Sequence, residues 1–395
     1  MRVIMVAYAF YESDSRIMMY SNALVKRGDQ VDVISLRKKG GSKREVIEGV
    51  TVYRIQERSR NEKSRFSYLY RLIKFLILSG IFFSIKNFQN KYDIIHVHSV
   101  PDFEVFAIFF AKLTGGKIIL DIHDIVPEFY ASKFKTNTES LLFRSLVWVE
   151  KASVAFSDHV IIANDLWKQK LVCRSVKEEK CTAILNYPDN SIFYARPRKR
   201  EDNRFIIVYP GSLNWHQGVD IVIKAINLIK EQIPEVELHI YGEGGEQKKL
   251  IDLVNKLELK GRVIFNKTIP RKEIVNVMAN ADLGVVPKRA SLFGNEAFST
   301  KILEFMALGV PVVVSSTKID RYYFSDTLVN FFESDNERDL AKCLLLLIRN
   351  PKRREFLVIN GFNYIKKNNW DIKKEMYLNL VDSLKNGNRG FKMRG

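Results

Sequence analysis

Short aliphatic runs recur along this 395-residue chain at intervals that leave room for a helix, and the series occurs twice. In the first series VIMVAY (3–8), DVISL (32–36), VTVYRI (50–55), DIIHVHS (93–99) and KIILDIHD (117–124) read as strands, followed by SDHVIIAND (157–165) and CTAILN (181–186). SNALVKRG (21–28) and FEVFAIFFAKLTGG (103–116) read as helices between some of them. Residues 187–204, YPDNSIFYARPRKREDNR, break the pattern with prolines and charges and read as a linker. A second series then begins with FIIVYPGS (205–212), VELHIYGEGGE (236–246), RVIFN (262–266), DLGVVP (282–287) and PVVVSS (311–316), with helices expected over Val219–Glu231, Gln247–Leu257 and Lys272–Asn280. Strands alternating with helices imply α/β architecture with doubly wound parallel sheets. The expectation is two Rossmann-like domains, 1–190 and 205–369. Residues 370–395 supply a C-terminal helix returning to the first domain and a basic tail. Open α/β sheets bind ligands beyond the carboxyl ends of their strands, so the expected active site is a cleft between the domains.

The chain is too long for one ordinary core, which agrees with two domains. Its 46% hydrophobic and 27% charged residues are those of a soluble globular protein. Cys173, Cys181 and Cys343 are odd in number and have no C-x-x-C spacing, which argues against a disulfide framework or a zinc site and for a reducing compartment. MRVIMVAYAF at the start reads as a first strand rather than a signal peptide.

The net charge of +18 gives weight to a polyanionic partner. Between Arg37 and Lys74 twelve basic residues stand against four acidic ones, and this stretch runs into RFSYLYRLIKFLILSGIFFSI. The apolar core from Phe75 to Ile85, interrupted by Ser79, Gly80 and Ser84, is shorter than the roughly 20 residues that span a bilayer. Two readings stay open for Arg54–Ile85: a helix lying against an anionic membrane surface, or a core helix with a solvated basic edge.

The stretch NEAFSTKILEFMALGVPVVVS (295–315) carries the chemistry. Ser299 or Thr300 can cap a helix that ends at Gly309 and Pro311, with a buried strand after it. A helix amino end preceded by small residues can hold an anion on its backbone N–H groups. Carboxylates beside it, Glu296 and Glu304, suit a ligand bearing both phosphate and hydroxyls.

This stretch, with seven residues between the two glutamates, resembles the E-x7-E signature of the retaining, nucleotide-sugar-dependent glycosyltransferases of family 4. GSLNWHQG at 211–218 and YGEGGE at 241–246 strengthen the resemblance, and HVHS (96–99), LDIHD (120–124) and ILNYPD (184–189) extend it more weakly through the first half. It implies the GT-B fold, a nucleoside diphosphate sugar donor, most simply UDP-linked, and no bound metal or other cofactor. It implies that Glu304 binds the ribose hydroxyls, that Glu296 faces the donor sugar, and that Ala297, Phe298 and Ser299 offer N–H groups to the diphosphate. Gly211 and Gly242 let backbone approach the donor, and Lys267–Pro270 matches a loop that reads the base. Relatives often carry Arg and Lys where Ser212 and Gln217 stand here, so Lys301, Lys288 and Arg289 are the candidates to meet the leaving charge. On the acceptor side His123 is the expected catalytic histidine, with Asp124 beside it and Asp14 and Arg16 in place of the family's paired glycines.

His96 and His98 share a strand face, but the sequence offers no evident third ligand for a metal. Relatives with this variant commonly build bacterial surface polysaccharides, capsule or O-antigen, on lipid-linked carriers. That implies a polyprenyl-diphosphate-linked or other saccharide acceptor and peripheral attachment to the inner face of the plasma membrane. Two rivals are a basic nucleic-acid-binding protein and a sugar-nucleotide epimerase or hydrolase on the same fold. Glu296 and Glu304 would repel a phosphate backbone, so no nucleic acid is expected as a partner.

Overall fold

The computed structural model describes residues 1–58, 65–134, 137 and 139–387. The tail 388–395 and the basic stretch 59–64 lie outside them. The chain divides into two units, 1–186 with 373–395, and 187–372.

The first unit contains β1 (Arg2–Ala7), α1 (Ser15–Arg27), β2 (Gln30–Arg37), β3 (Arg44–Ile47), β4 (Val50–Glu57), α2 (Arg65–Gln89), β5 (Ile94–His98), α3 (Phe110–Thr114) and β6 (Lys117–Ile122). It continues through α4 (Val126–Phe134), α5 (Leu141–Phe156), β7 (His159–Ile162), α6 (Asp165–Arg174) and β8 (Cys181–Ala183). The sheet order is β3-β4-β2-β1-β5-β6-β7-β8. All pairings are parallel except that of β3 with β4. Val3 to Val6 on central β1 are wholly buried, as expected for a strand covered on both faces.

The second unit contains β9 (Phe205–Pro210), α7 (Val219–Ile229), β10 (Val236–Tyr241), α8 (Gln247–Lys256), β11 (Val263–Asn266), α9 (Arg271–Ala279) and β12 (Leu283–Val286). After these come α10 (Thr300–Leu308), β13 (Val312–Ser315), α11 (Lys318–Tyr323), β14 (Asn330–Phe332), α12 (Glu337–Arg349) and α13 (Pro351–Ile365). Its six strands run β11-β10-β9-β12-β13-β14, all parallel. The last helix, α14 (Trp370–Lys385), belongs to the first unit from Lys373 onward, where the Tyr377 hydroxyl lies 3.0 Å from His96 Nδ1. Two Rossmann-like parallel sheets are thus present.

Four local readings change. Residues 187–204 are counted with the second unit: Arg198 and Arg200 pair with Asp282, Arg196 bonds Asn276, and Phe193 is buried. The expected helix at 103–116 is a 3-10 stretch, Asp102–Ile108, followed by α3. With three residues per turn, Asp102, Val105 and Ile108 share one buried side. Strand β3 was not expected, because Arg44, Glu45 and Val46 are all exposed and show no apolar alternation. Finally, α2 has 25 residues, and its stretch Ser67–Gln89 is long and apolar enough to cross a bilayer by length and composition alone. Ser79 and Ser84 do not interrupt it, because their hydroxyls bond the carbonyls of Leu76 and Gly80 one turn back. One stripe of α2, Leu72, Phe75, Ser79 and Phe83, is nevertheless buried in the unit.

Candidate active site

In the second unit the loop before α10 and its first turn leave backbone donors open. The chain turns on Glu296 N–H to Phe293 O (3.1 Å) and Ala297 N–H to Phe293 O (2.9 Å). Ala297 therefore has no donor to spare, contrary to expectation. Among the described residues, the N–H groups of Phe298, Ser299, Thr300 and Lys301 meet no protein acceptor. Ser299 holds the N-cap position without a side-chain capping bond. The Phe298 ring is packed against Tyr323 at 5.1 Å and Phe324 at 5.9 Å, which fixes the loop. Open amides at a helix amino end form a ready anion site.

Three cations were candidates to support it, and they separate clearly. Lys301 Nζ donates to Gln217 Oε1 at 3.1 Å and sits over the Tyr209 ring at 5.0 Å. Burial pushes its ammonium down to about 8, with Glu304 acting in the opposite sense. Lys288 is not a surface charge. It is 4% exposed, bonds Ala297 O at 2.5 Å and pairs with Asp320 at 3.0 Å, so it anchors the loop from beneath. Arg289 is occupied elsewhere, forking onto Asp220 at 2.7 and 2.8 Å, pairing with Asp335 and covering the Trp215 ring. The departure from the family at Gln217 is thus met by a lysine reaching the same spot from α10.

Backbone crowding explains the glycines. A Cβ on Gly211 would lie 2.6 Å from Lys301 Cε, and one on Gly242 would lie 1.8 Å from Gly211 O. Beyond β9 and β10 these two glycines, with Ser212, Glu243, Thr268 and Ile269 among others, line a pocket of about 410 Å³. Arg271, at the pocket and 3.8 Å from Glu304, holds down the Glu304 carboxyl that burial otherwise raises; the net shift is upward. Glu296 is half-buried on the loop two residues before the open amides.

The acceptor-side candidates in the first unit form a buried charge network centred on Asp121. Arg16 donates to both Asp121 oxygens at 2.8 Å, and also to Ile184 O at 2.7 Å and Asn186 Oδ1 at 2.8 Å. At 3% exposure it is a clamp between α1, β6 and the end of β8 and offers nothing to a substrate. Asp14 caps α1 through the N–H groups of Arg16 and Ile17, and its other oxygen lies 3.8 Å from His123 Nδ1. His123 Nε2 is 3.2 Å from Asp121 Oδ2 and 3.1 Å from His98 Nδ1, with its side chain 19% exposed. Burial pulls the His123 imidazole down, but Asp121, by charge and hydrogen bond, carries the net shift upward. Asp124, next along the chain, is raised by burial. His98 is held well below the usual range, first by burial and then by His96.

The structure does supply a third metal-type ligand, since His96, His98 and Asp121 place their ligating atoms within 4.8 Å of one another. Both oxygens of that carboxylate already accept from the permanent Arg16 guanidinium, whose charge opposes a second cation there. Asp121, Tyr209, Arg271 and Asp320 were missed by sequence reasoning. Arg271 alone carried a signal: a cation following Pro270 at a helix amino end opposes the helix dipole.

With the geometry established, family comparisons decide the class. Residues 192–364 match the family described as glycosyl transferases group 1, and residues 14–186 match the glycosyl transferase 4-like domain. The chain belongs to this glycosyltransferase family. Similar curated proteins include a human phosphatidylinositol N-acetylglucosaminyltransferase polypeptide, 25% identical over 80% of this chain and 62% of that protein's length. The O-antigen biosynthesis glycosyltransferase WclY of Escherichia coli is 24% identical over 75% of this chain and 76% of its own. Among solved structures, sucrose-phosphate synthase from Thermosynechococcus elongatus superposes with a TM-score of 0.79 at 17% identity, covering 98% of this chain and 100% of that one. Anabaena HepE in complex with UDP gives 0.71 at 17%, covering 97% and 100%. The two parallel-sheet units of this glycosyltransferase are those of the GT-B fold.

Proposed function

We propose that this glycosyltransferase moves a sugar from a nucleoside diphosphate, UDP, to a saccharide acceptor on a polyprenyl diphosphate, with retention at the anomeric carbon, in bacterial surface polysaccharide synthesis. The observation that carries the donor reading is the row of open N–H groups from Phe298 to Lys301, with Lys301 Nζ beside Gln217. Helix dipole, amides and ammonium together favour a diphosphate and the charge that grows on it as the glycosidic bond breaks. Glu304 then holds the ribose hydroxyls, and the pocket lined by Thr268 and Ile269 takes the base. Ser212 and Gln217 add neutral contacts, while Lys288 holds the loop and Arg289 braces β12 to α7.

In this scheme no protein side chain becomes a nucleophile and no metal or other cofactor is required. The leaving phosphate accepts the acceptor's proton on the same face of the sugar, while the Glu296 carboxylate stabilises positive charge on the ring; His123, on the acceptor side, orients the attacking hydroxyl. Support for UDP comes from HepE, whose solved complexes hold UDP and UDP-glucose. Support for the pathway comes from WclY and from the colanic acid glycosyltransferase WcaL, 26% identical over 40% of this chain. The protein is peripheral at the inner face of the plasma membrane, with an anionic lipid surface and not nucleic acid as its partner.

The test is a panel of nucleotide sugars assayed for protection against thermal unfolding. A donor at a hundred times its Kd stabilises by about 2.7 kcal/mol whatever the acceptor. Protection by UDP-sugars is expected. No protection by any nucleotide, together with a shift of arbitrary DNA that UDP leaves undisturbed, would reject the enzyme in favour of nucleic-acid binding.

A further inference from the structure

The first unit carries an apolar face built from two elements. On α2 the side turned away from the buried stripe presents Ile73, Ile77, Ile81 and Ile85, each 45 to 55% exposed, and Phe88 at 93%. An ordinary surface helix is polar there. Alongside it, the 3-10 stretch and α3 present Phe106, Phe109, Phe110 and Leu113 at 40 to 69% exposure. The two are drawn together at Gly80, where an added Cβ would lie 3.0 Å from Ala107 O, and at the bond between Ser79 Oγ and Glu104 Oε1, 2.5 Å. Between them runs an open groove of about 490 Å³ lined by Ile77, Ile81, Ile85, Phe106, Phe109 and Phe110 among others.

The exposed charges on α2 and α5 are basic, and Asp158, just past α5, is neutralised by Lys112 of α3 at 3.0 Å. α2 contains no carboxylate, and those of the 3-10 stretch, α3 and α5 are Asp102, Glu104 and Glu150, all buried. Lys74 on α2 and Arg144 and Lys151 on α5 are exposed, with Arg71 and Lys86 half-buried on α2. Phe156 of α5 meets both Phe106 (5.3 Å) and Phe109 (6.3 Å), so the cations of α5 lie on an element packed against the same patch. A second copy docking here would bring like charges together, whereas an anionic bilayer complements them.

We propose that this face is the membrane-docking surface of the enzyme: the isoleucines of α2 and the phenylalanines of the 3-10 stretch and α3 enter the headgroup and upper acyl region of an anionic bilayer. Helix α2 lies in the membrane plane, because its buried stripe ties it into the unit and prevents it from leaving to span. This refines the membrane partner named above and is tested without turnover, so it stands or falls apart from the donor assignment.

The experiment is co-sedimentation of the full chain with phosphatidylglycerol-containing vesicles and with phosphatidylcholine vesicles, at low and high salt. Binding to the anionic vesicles, weakened by salt, is expected. It should fall about tenfold or more in Ile77→Glu/Ile81→Glu and in Phe109→Ser/Phe110→Ser, with UDP protection retained. Ile359→Glu, an exposed apolar position on α13, should bind as the parent does. Phe109→Trp should show blue-shifted emission on the vesicles. Absence of vesicle binding by the parent, equal binding by the Glu and Ser variants, or unshifted Trp emission would overturn the proposal. So would a dimer abolished by the same substitutions, which would mark the face as a contact between copies.

Discussion

Lys301 Nζ lies 3.1 Å from Gln217 Oε1, so a charge absent from one loop of the site is delivered to it by the helix opposite. The ammonium is held down to about 8 by burial. Because the amine loses its charge above that value, affinity for UDP should fall as pH rises through about 8. A bound diphosphate shifts the midpoint upward. Lys301→Gln should bind about tenfold more weakly at neutral pH, with the pH dependence flattened. Calorimetric titration across this range measures both, and an unchanged profile in the variant would remove Lys301 from the site.

Glu304 and Glu296 should separate binding from transfer. Glu304→Ala is expected to lose UDP protection, because the ribose contacts go with it. Glu296→Ala should keep protection and lose transfer by about a hundredfold or more. Full activity in both would reject the assignment.

Gly242 should tolerate no side chain, since the group it would strike is backbone, Gly211 O at 1.8 Å. Gly242→Ala should destabilise by about 1–3 kcal/mol and distort the pocket. Gly211→Ala meets the end of Lys301 as well as the strain of a φ of +155°, so it should lower UDP affinity in addition to the melting temperature. Thermal denaturation with and without UDP distinguishes them.

Asp121→Ala would strand a buried guanidinium, at a cost of about 3–5 kcal/mol by denaturant titration. The milder Asp121→Asn should lower the His123 pKa, read by NMR. His123 is raised in the folded protein, so its contribution to stability is present at low pH and lost as pH rises through the elevated value. In Asp121→Asn that loss should move to lower pH.

Glu104 is buried, its Oε2 has no partner among the described residues, and burial raises its carboxyl to about 8. A carboxyl raised on folding stabilises below its unfolded value near 4 and loses that contribution as pH rises toward 8. Glu104→Gln should therefore melt higher than the parent at pH 8, by several degrees, and gain little or nothing at pH 5. Equal shifts at the two pH values would contradict the burial.

The sheet order's inner strands were legible because they are continuous apolar runs, and α10 was legible because Gly309 and Pro311 end it sharply. Edge elements were not. β3 exposes its side chains, and β14 is only Asn330–Phe332, too short to show a period. Within the site, the glutamates and the helix amino end could be placed from spacing. The fates of Lys288, Arg289 and Arg16 could not, because each is decided by a carboxylate distant in sequence: Asp320, Asp220 and Asp121. A lone basic residue looks the same whether it faces a ligand or a buried acid.

The return of α14 to the first unit has a practical side. Tyr377 packs on Tyr20, with ring centroids 4.1 Å apart, and reaches His96 beneath. A fragment ending at Asn186 would expose that aromatic seam to water and fold poorly when expressed by itself. Adding residues 373–387 back as a separate peptide should restore it, so the amino-terminal half behaves as a split protein whose missing piece is made only after the whole second unit.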